Sequence, residues 1–463
     1  MRQASYNPLG VDVPPAKSYR DVLVASLPVA LSYGSTIAYE SIALVCLSRY
    51  SDAAFAAIFP GFVVYFNTLI LPAGVIKYLR IQAANEIGKG RQERAGQLLW
   101  LGFAVAAVAA VFFTFLAYFS EEIFSLIGHA PELRSLEASY FKVMCYGVFF
   151  QLAIAAVEAL YLAVGKRKTL LIVQMTGIIV NLLLTPALIF GWGALAELGI
   201  EGAGYATVAA SALVLLIYCV HARWSSSLSG YRLLSAPRFT AEQLAKLLRI
   251  GLPSGIERFF EELTWTILIL VVGRLGVFAL ALSNVAVNIL ELAYLPMIAL
   301  GEVLSVQVAI LSASGAGRQV RSLVKSILLA VLLYALVWIL VITVFSGFIR
   351  DLYFSSIDLS HVADVDTVFS TYFGILCLCI AFGAFYYVYN AVLTARDDTS
   401  FPMAAMLLFF IFVFCAPLYI VLIERGMGVL WGWLIFLINI ALLCLVNGAR
   451  YYLTHYHTPE TVS

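Results

Sequence analysis

Long apolar stretches alternate with short polar breaks along the whole chain. Twelve of them fall at 20–48, 53–85, 94–119, 137–164, 169–191, 202–222, 248–273, 278–311, 319–347, 367–394, 400–423 and 428–451. A bilayer core of about 30 Å is crossed by about 20 apolar residues in an α-helix, so each stretch is long enough to span it. The pattern predicts an all-α membrane protein with twelve transmembrane helices.

The breaks are short except for acidic stretches after helices three and nine and a polar crossover near 223–245. With Ser225, Ser226, Ser227 and Pro237, the crossover reads as a linker between two six-helix halves. The expected organisation is a tail (1–19), a first lobe of helices one to six (20–222), the crossover (223–246), a second lobe of helices seven to twelve (247–452) and a final tail (453–463). The halves repeat. Leu27-Pro28 returns as Leu252-Pro253, Ser48-Arg49 as Gly273-Arg274, and Gly88-Lys89-Gly90-Arg91 as Gly315-Ala316-Gly317-Arg318, at an offset of about 225 residues. Later, Ala163 to Thr169 is answered by Leu393 to Thr399. Six helices per half is an even number, so the repeat is parallel. Such duplications build transporters that rock one half against the other around a site between them.

Lys and Arg gather in the tails and even-numbered loops, as in Arg2, Lys17, Arg20, Lys89, Arg91, Arg94 and Lys166 to Lys168. Odd-numbered loops carry Glu121, Glu122, Glu132, Asp351, Asp358, Asp364 and Asp366. This asymmetry puts both termini in the cytoplasm of a multi-pass cell-membrane protein. The start of the chain lacks the pattern of a cleaved signal peptide, so the first apolar helix is expected to be retained.

Composition agrees. The 463 residues are 62% hydrophobic and 12% charged, with a net charge of +1 that gives no basic face for nucleic acid. Seven cysteines all lie in apolar stretches, an odd and dispersed set that makes no disulfide framework. Cys377 and Cys379 point about 200° apart on a helix and read as small core residues. His455 and His457 lack further ligands, so no metal site is expected.

The costly feature is Gly251 to Glu262, which writes Glu257, Glu261 and Glu262 into the head of an apolar segment. A rise of about 1.5 Å per residue places Glu261 roughly 16 Å deep, near mid-membrane. A charge there costs on the order of 3 kcal/mol, so it should face a partner or a wet cavity and mark an ion or substrate path. Glu257 lies one turn away on the same face. Helix eight adds Glu291 and Glu302 on one face, with Asn284, Asn288 and Tyr294 nearby, and helix one adds Glu40. Lys77 and Arg80 could pair with Glu40 or attract an anion, whereas Glu158, near a helix end, reads as interfacial. Tyr386, Tyr387, Tyr389, Trp265, Trp431 and Trp433 could stack on flat cations or form an interfacial belt.

These residues resemble the multidrug and toxin extrusion (MATE) family, within the multidrug/oligosaccharide-lipid/polysaccharide exporter superfamily. The resemblance rests on Leu27-Pro28 and Leu252-Pro253, Gly273 to Gly276, Gly315-Ala316-Gly317, Gly165-Lys166, and Asn181 through Ile189-Phe190-Gly191 to Leu198–Ala203. It implies a V-shaped pair of six-helix bundles around a central cavity, exporting organic cations in exchange for Na⁺ or H⁺. Phe259-Phe260-Glu261 matches the helix-seven pattern of the NorM-like branch, so Glu261 inherits the role of cation or substrate ligand. Ala43 and Thr185 stand where acids are usual in the first lobe, and helix ten lacks its acid. Asn181 keeps its place in the helix-five motif.

The expected ion- and substrate-binding set is therefore Glu261, Glu257, Glu40, Glu291, Glu302, Asn288 and Asn181. The expected activity is secondary antiport of amphiphilic, cationic drugs or toxins by a monomer in the lipid bilayer, with H⁺ or Na⁺ as coupling ion and no other cofactor. A flippase for lipid-linked or polysaccharide precursors is the alternative, with Lys77 and Arg80 binding an acidic group. Helix interiors lack the clustered His, Asp or Ser of an intramembrane enzyme, and no nucleotide-binding Gly-Lys-Ser/Thr motif is present.

Overall fold

The computed structural model describes residues 19–127, 130–193, 196–233, 239–354 and 365–456. Most of both tails with His457, the crossover around Pro237, and Asp358 and Asp364 lie outside the described residues. The described chain is helical, without strands. Its long helices are α1 (Tyr19–Leu47), α2 (Asp52–Gly88), α3 (Gln92–Tyr118), α4 (Pro131–Ala163), α5 (Arg167–Phe190), α6 (Gly199–Trp224), α7 (Leu252–Gly273), α8 (Val277–Ala313), α9 (Gly317–Phe354), α10 (Val365–Ala395), α11 (Ser400–Glu424) and α12 (Val429–Tyr451). Ten are long and apolar enough to cross a membrane; α1 and α7 are the other two, and α7 carries the acid-rich stretch.

Some ends move relative to the hydropathy pattern for local reasons. Pro131, with its φ preset and no N–H to lose, starts α4 six residues early. In the crossover, Thr240 and Gln243 form a reciprocal capping box that opens a short helix at Ala241–Lys246. This helix runs through a wide turn at Leu247–Gly251 directly into α7. The widened turn accommodates Pro253, which cannot donate to the carbonyl four residues back. Similar wide turns at Phe410–Cys415 and Tyr419–Glu424 flank Pro417 in α11.

The described chain forms two compact units that divide inside α7, one holding Leu27–Phe259 and the other Phe260 onward together with residues 19–26 at the start of α1. In the first unit α4 is the hub, packing on α2, α3 and α6, while α5 packs on α6. Small residues permit the close approach: a Cβ added at Gly102 of α3 would stand 2.5 Å from Ala156 Cβ of α4. In the second unit α10 is the hub and packs on α8, α9 and α12, the same partners one repeat later, with α11 on α12. Its core is built from α7, α8, α10, α11 and α12 around Leu268, Leu282, Tyr372, Phe414 and Trp433.

The repeat extends to the turns. Gly90 after α2 and Gly315 after α8 take left-handed conformations with φ of 75° and 74°. Each is followed by a matching backbone bond, Arg91 N–H to Glu86 O at 2.8 Å and Ala316 N–H to Leu311 O at 2.9 Å. The turns ending α4 and α10 match likewise, but two residues out of the register read from the sequence, which sets Gly165 opposite Ala395: Gly165 (φ 80°) is answered by Asp397 (φ 61°), with Lys166 N–H to Tyr161 O matching Asp398 N–H to Leu393 O. Prolines follow the same plan. They interrupt α1 (Pro28), α2 (Pro60, Pro72) and α5 (Pro186), and in the second half α7 (Pro253), α8 (Pro296) and α11 (Pro417), while Pro402 sits in the first turn of α11, where no bond is lost. The hubs α4 and α10 carry none beyond the first residue of α4.

At the end of α1, the Tyr50 hydroxyl donates to Glu197 Oε1 at 2.9 Å and its ring meets Phe190 edge-on. The hydrogen bond to Glu197, then burial, holds this phenol above its ordinary range.

Candidate functional site

In the second unit, α7 presents Glu261 half-buried, and α10 supplies its partner: Tyr387 Oη donates to Glu261 Oε1 at 2.7 Å. A hydroxyl donating to a carboxylate at this distance is a strong, charge-assisted bond. Tyr387 is itself positioned by rings. Tyr294 of α8 meets it edge-on at 5.6 Å between centroids, and Tyr294 is pinned by a 2.6 Å bond from its hydroxyl to Cys379 O. One turn past Glu261, Trp265 lies 4.5 Å from Phe436 and 6.5 Å from Tyr294.

The other aromatic candidates separate by burial. Tyr386 and Trp433 are fully buried, the latter donating its indole N–H to Ser283 Oγ at 3.0 Å, so they build the wall behind the site. Trp431 is exposed, and Tyr389 stacks with Tyr451 and Tyr452 at the end of α12.

Helix α8 is largely buried, yet Asn284, Asn288 and Glu291 are exposed at successive turns of one face, and the Asn288 amide donates to Asn284 O at 2.8 Å. Polar groups in this order along a membrane helix require water or a polar ligand, because hydrocarbon would leave them unsatisfied. Glu302, three turns beyond Glu291, is half-buried.

The remaining members of the set belong to the first unit. Glu257 is buried at 3% exposure, in the opening turns of α7 where Gly255 backs onto Leu71 O and Val75 of α2. Glu40 is half-buried within electrostatic range of the buried Tyr140 hydroxyl. Asn181 is fully buried. Its amide donates to Thr207 Oγ1 of α6 at 3.4 Å and accepts from Thr185 Oγ1 at 3.2 Å, which ties α5 to α6. Ala43 of α1 is buried at 4% exposure. Lys77 is half-buried and its carbonyl accepts from Arg80 Nη1 at 3.2 Å.

One acid gains a setting that hydropathy does not reveal. Glu158 of α4 accepts from Gln174 Nε2 of α5 and, at 3.3 Å, from Tyr218 Oη of α6. Gln174 and Tyr218 are buried. The one sequence signal is Gln174 itself, an amide set between the apolar Leu170–Val173 and Met175. Among the described residues no three His, Cys, Asp or Glu side chains cluster as metal ligands, and the seven cysteines are free thiols.

The family model MatE matches residues 28–187 and again 253–420, once in each half. Among curated proteins, a probable multidrug resistance protein NorM of Xanthomonas axonopodis pv. citri is 26% identical over 302 residues, covering 63% of this chain and 64% of that protein. Multidrug resistance protein MdtK of Klebsiella pneumoniae is 26% identical over 297 residues, covering 62% and 64%. The matched part thus spans somewhat under two thirds of these relatives. In fold, the chain is similar to the eukaryotic MATE transporter AtDTX14, with a TM-score of 0.80 at 16% identity over 95% of this chain and 96% of that one. It is also similar to a MOP superfamily transporter from Pyrococcus furiosus for which a binding pocket of reverse polarity suggests a different function, with a TM-score of 0.79 at 15% identity over 94% and 96%.

Proposed function

The chain belongs to the MatE family, and from that premise we propose that it is a secondary antiporter that exports amphiphilic organic cations in exchange for H⁺ or Na⁺. The observation that carries the reading is Glu261, a carboxylate of α7 that is half-buried and accepts from the Tyr387 hydroxyl at 2.7 Å. A carboxylate that accepts from a neutral hydroxyl in such a setting can take a proton, a small cation or an organic cation, but not all at once. Competition for Glu261 makes exchange obligatory: loading the coupling ion releases the substrate, and loading the substrate releases the ion. Tyr387 sets the geometry of the carboxylate, and the aromatic rings around it offer faces to a flat cation. The exposed Asn284, Asn288 and Glu291 of α8 provide further polar contacts for a cation in water. Glu257, Glu40, Glu302 and Asn181 complete the proposed binding set.

The setting is the cytoplasmic membrane with both termini inside, as the Lys and Arg distribution supports. The protein works as a monomeric carrier, not as an enzyme. Half-buried Lys77 in α2 favours one second reading, a flippase that holds an acidic headgroup.

The deciding experiment is uptake of a fluorescent organic cation into everted membrane vesicles under an imposed proton or sodium gradient, wild type beside Glu261→Gln. Transport that follows one gradient and is lost in the variant is the expected result. No transport under either gradient, with a labelled anionic lipid moving instead, overturns antiport in favour of the flippase.

A further inference from the structure

In the second unit an ion pair ties the turn before α11 to the end of α12: Arg450 Nε donates to Asp398 Oδ2 at 2.8 Å. The first unit has the same two positions, and neither holds an acid. Lys166 stands at the place of Asp398, each directly after the left-handed residue of its turn. The buried positions of α6 and α12 match with Ile200 at Val429, Ala206 at Ile435, Val214 at Leu443 and Tyr218 at Asn447, which sets His221 at the place of Arg450. Lys166 and His221 are neighbours, close enough for the ammonium charge to act on the imidazole, and His221 Nδ1 lies 2.9 Å from Tyr161 Oη. A cation thus stands where the other unit has its anion.

We propose that this end of the first unit binds the phosphate of an anionic phospholipid, held by Lys166, Arg167 and Lys168 at the start of α5 with His221 beside it. Among the described residues no Asp or Glu forms an ion pair with these three cations or with Arg223 near the end of α6. Other cations of the unit are matched, Arg91 with Glu86 at 3.8 Å and Arg232 with Glu93 at 3.4 Å. Arg167 is half-buried, and its Nε is shut off from solvent with no hydrogen-bond partner among the described residues. A charged donor in that state is costly until an acceptor reaches it. Because the side chain is only half-buried, a turn about its stem carries the N–H to an acceptor at the surface. Nor do the three cations steady their own helix, since positive charge at a helix start opposes its dipole. A phosphate supplies both the missing negative charge and the missing acceptors.

The surroundings favour a lipid over a free anion. Both α5, which starts at Arg167, and α6, which ends at Trp224, are long and apolar enough to cross a membrane, so the cations sit where hydrocarbon gives way to headgroups. The exposed face of α6 that leads to them is apolar: Leu213, Leu216, Val220 and Trp224 follow at steps of three and four residues, and Ile172 is exposed on α5. Acyl chains can lie along these faces, with Trp224, 79% exposed, at the level of the headgroup. A free phosphate would meet the charges but use none of this surface. Bound there, the lipid phosphate does for the first unit what Asp398 does for the second, joining the start of α5 to the end of α6.

The test titrates the purified full-length protein, in a neutral detergent, with dioleoylphosphatidylglycerol, dioleoylphosphatidylcholine or inorganic phosphate. Bound lipid is counted by native mass spectrometry and the melting midpoint is followed in parallel. Phosphatidylglycerol should bind and raise the midpoint, whereas phosphatidylcholine and phosphate should not. Arg167→Gln with Lys168→Gln should weaken phosphatidylglycerol binding about tenfold or more. Lys89→Gln with Arg94→Gln, which removes two exposed cations elsewhere in the same unit, should leave it within about twofold. Unchanged binding in the first double variant, or an equal loss in both, overturns the site. An equal rise in midpoint with phosphate alone overturns the lipid as its occupant. Where the glutamine variant does not fold, Lys166→Asp with His221→Arg rebuilds the ion pair of the second unit: lost lipid binding then supports the proposal, and retained binding overturns it. None of these readouts depends on what the protein carries.

Discussion

Gly383→Ala is a small change with a traceable route to Glu261. A methyl group at Gly383 would stand 2.5 Å from Cε1 and Cζ of Tyr294, where ordinary contact is 3.4–4 Å. The ring must therefore retreat by about 1 Å. It cannot do so freely, because its hydroxyl is pinned to Cys379 O at 2.6 Å and it is 4% exposed. Overpacking of this kind costs about 1–3 kcal/mol, and stretching the hydrogen bond adds about 1 kcal/mol, for a total near 2–4 kcal/mol. Because Tyr294 backs Tyr387, the displacement should also loosen the Glu261 contact and reduce cation export. The assay is a double-mutant cycle of Gly383→Ala with Tyr294→Leu, read by thermal unfolding in detergent and by vesicle export. On the Leu background the methyl group should be nearly free, giving a coupling of about 2–4 kcal/mol. If Gly383→Ala costs the same with and without the Tyr294 ring, the ring is not what the methyl group meets and the argument fails.

Tyr387→Phe keeps the ring contact with Tyr294 but removes the donor to Glu261, so cation affinity in a binding assay should change about tenfold or more, from the about 1.5–3 kcal/mol of a hydrogen bond to a charged group, with little loss of folded protein. Gly165→Ala should destabilise the fold by about 1–2 kcal/mol in thermal unfolding, because its φ of 80° is disfavoured for any residue with a Cβ. Arg450→Ala should cost only about 1 kcal/mol, and less in high salt, since its 2.8 Å bond to Asp398 is partly exposed. Tyr50 has a raised phenol, so the stability from its bond to Glu197 should be complete below about pH 10 and fade as pH rises further; Tyr50→Phe should remove this alkaline dependence in a melting series.

Much of the fold is legible in the sequence because a membrane leaves few choices: apolar length gives the helices, and Leu-Pro and Gly-Lys-type turns recurring at a fixed offset give the repeat. An expected depth for Glu261 follows from counting residues from Ile250. Its partner does not, because Tyr387 is 126 residues away and nothing in helix ten distinguishes it from the neighbouring Tyr386, which turns into the core. Glu158 reads as interfacial for a similar reason. Distance from a helix end is a sequence property, but the Gln174 and Tyr218 that enclose it come from two other helices. Trp433 shows the reverse case, an aromatic residue whose indole is spent on Ser283 instead of facing a ligand.

The placement of the prolines has a mechanical consequence. Each one beyond a helix's first turn deletes a backbone hydrogen bond, worth about 0.5–1.5 kcal/mol, from the ladder that resists bending. Those deletions fall on the first, second and fifth helix of each half and spare the fourth, to which three neighbours are bolted. Each unit is thus a stiff keel with compliant ribs: flexure is cheap where proline has thinned the ladder and expensive along α4 and α10. A proline placed in the middle of either keel should turn a stiff rod into a joint.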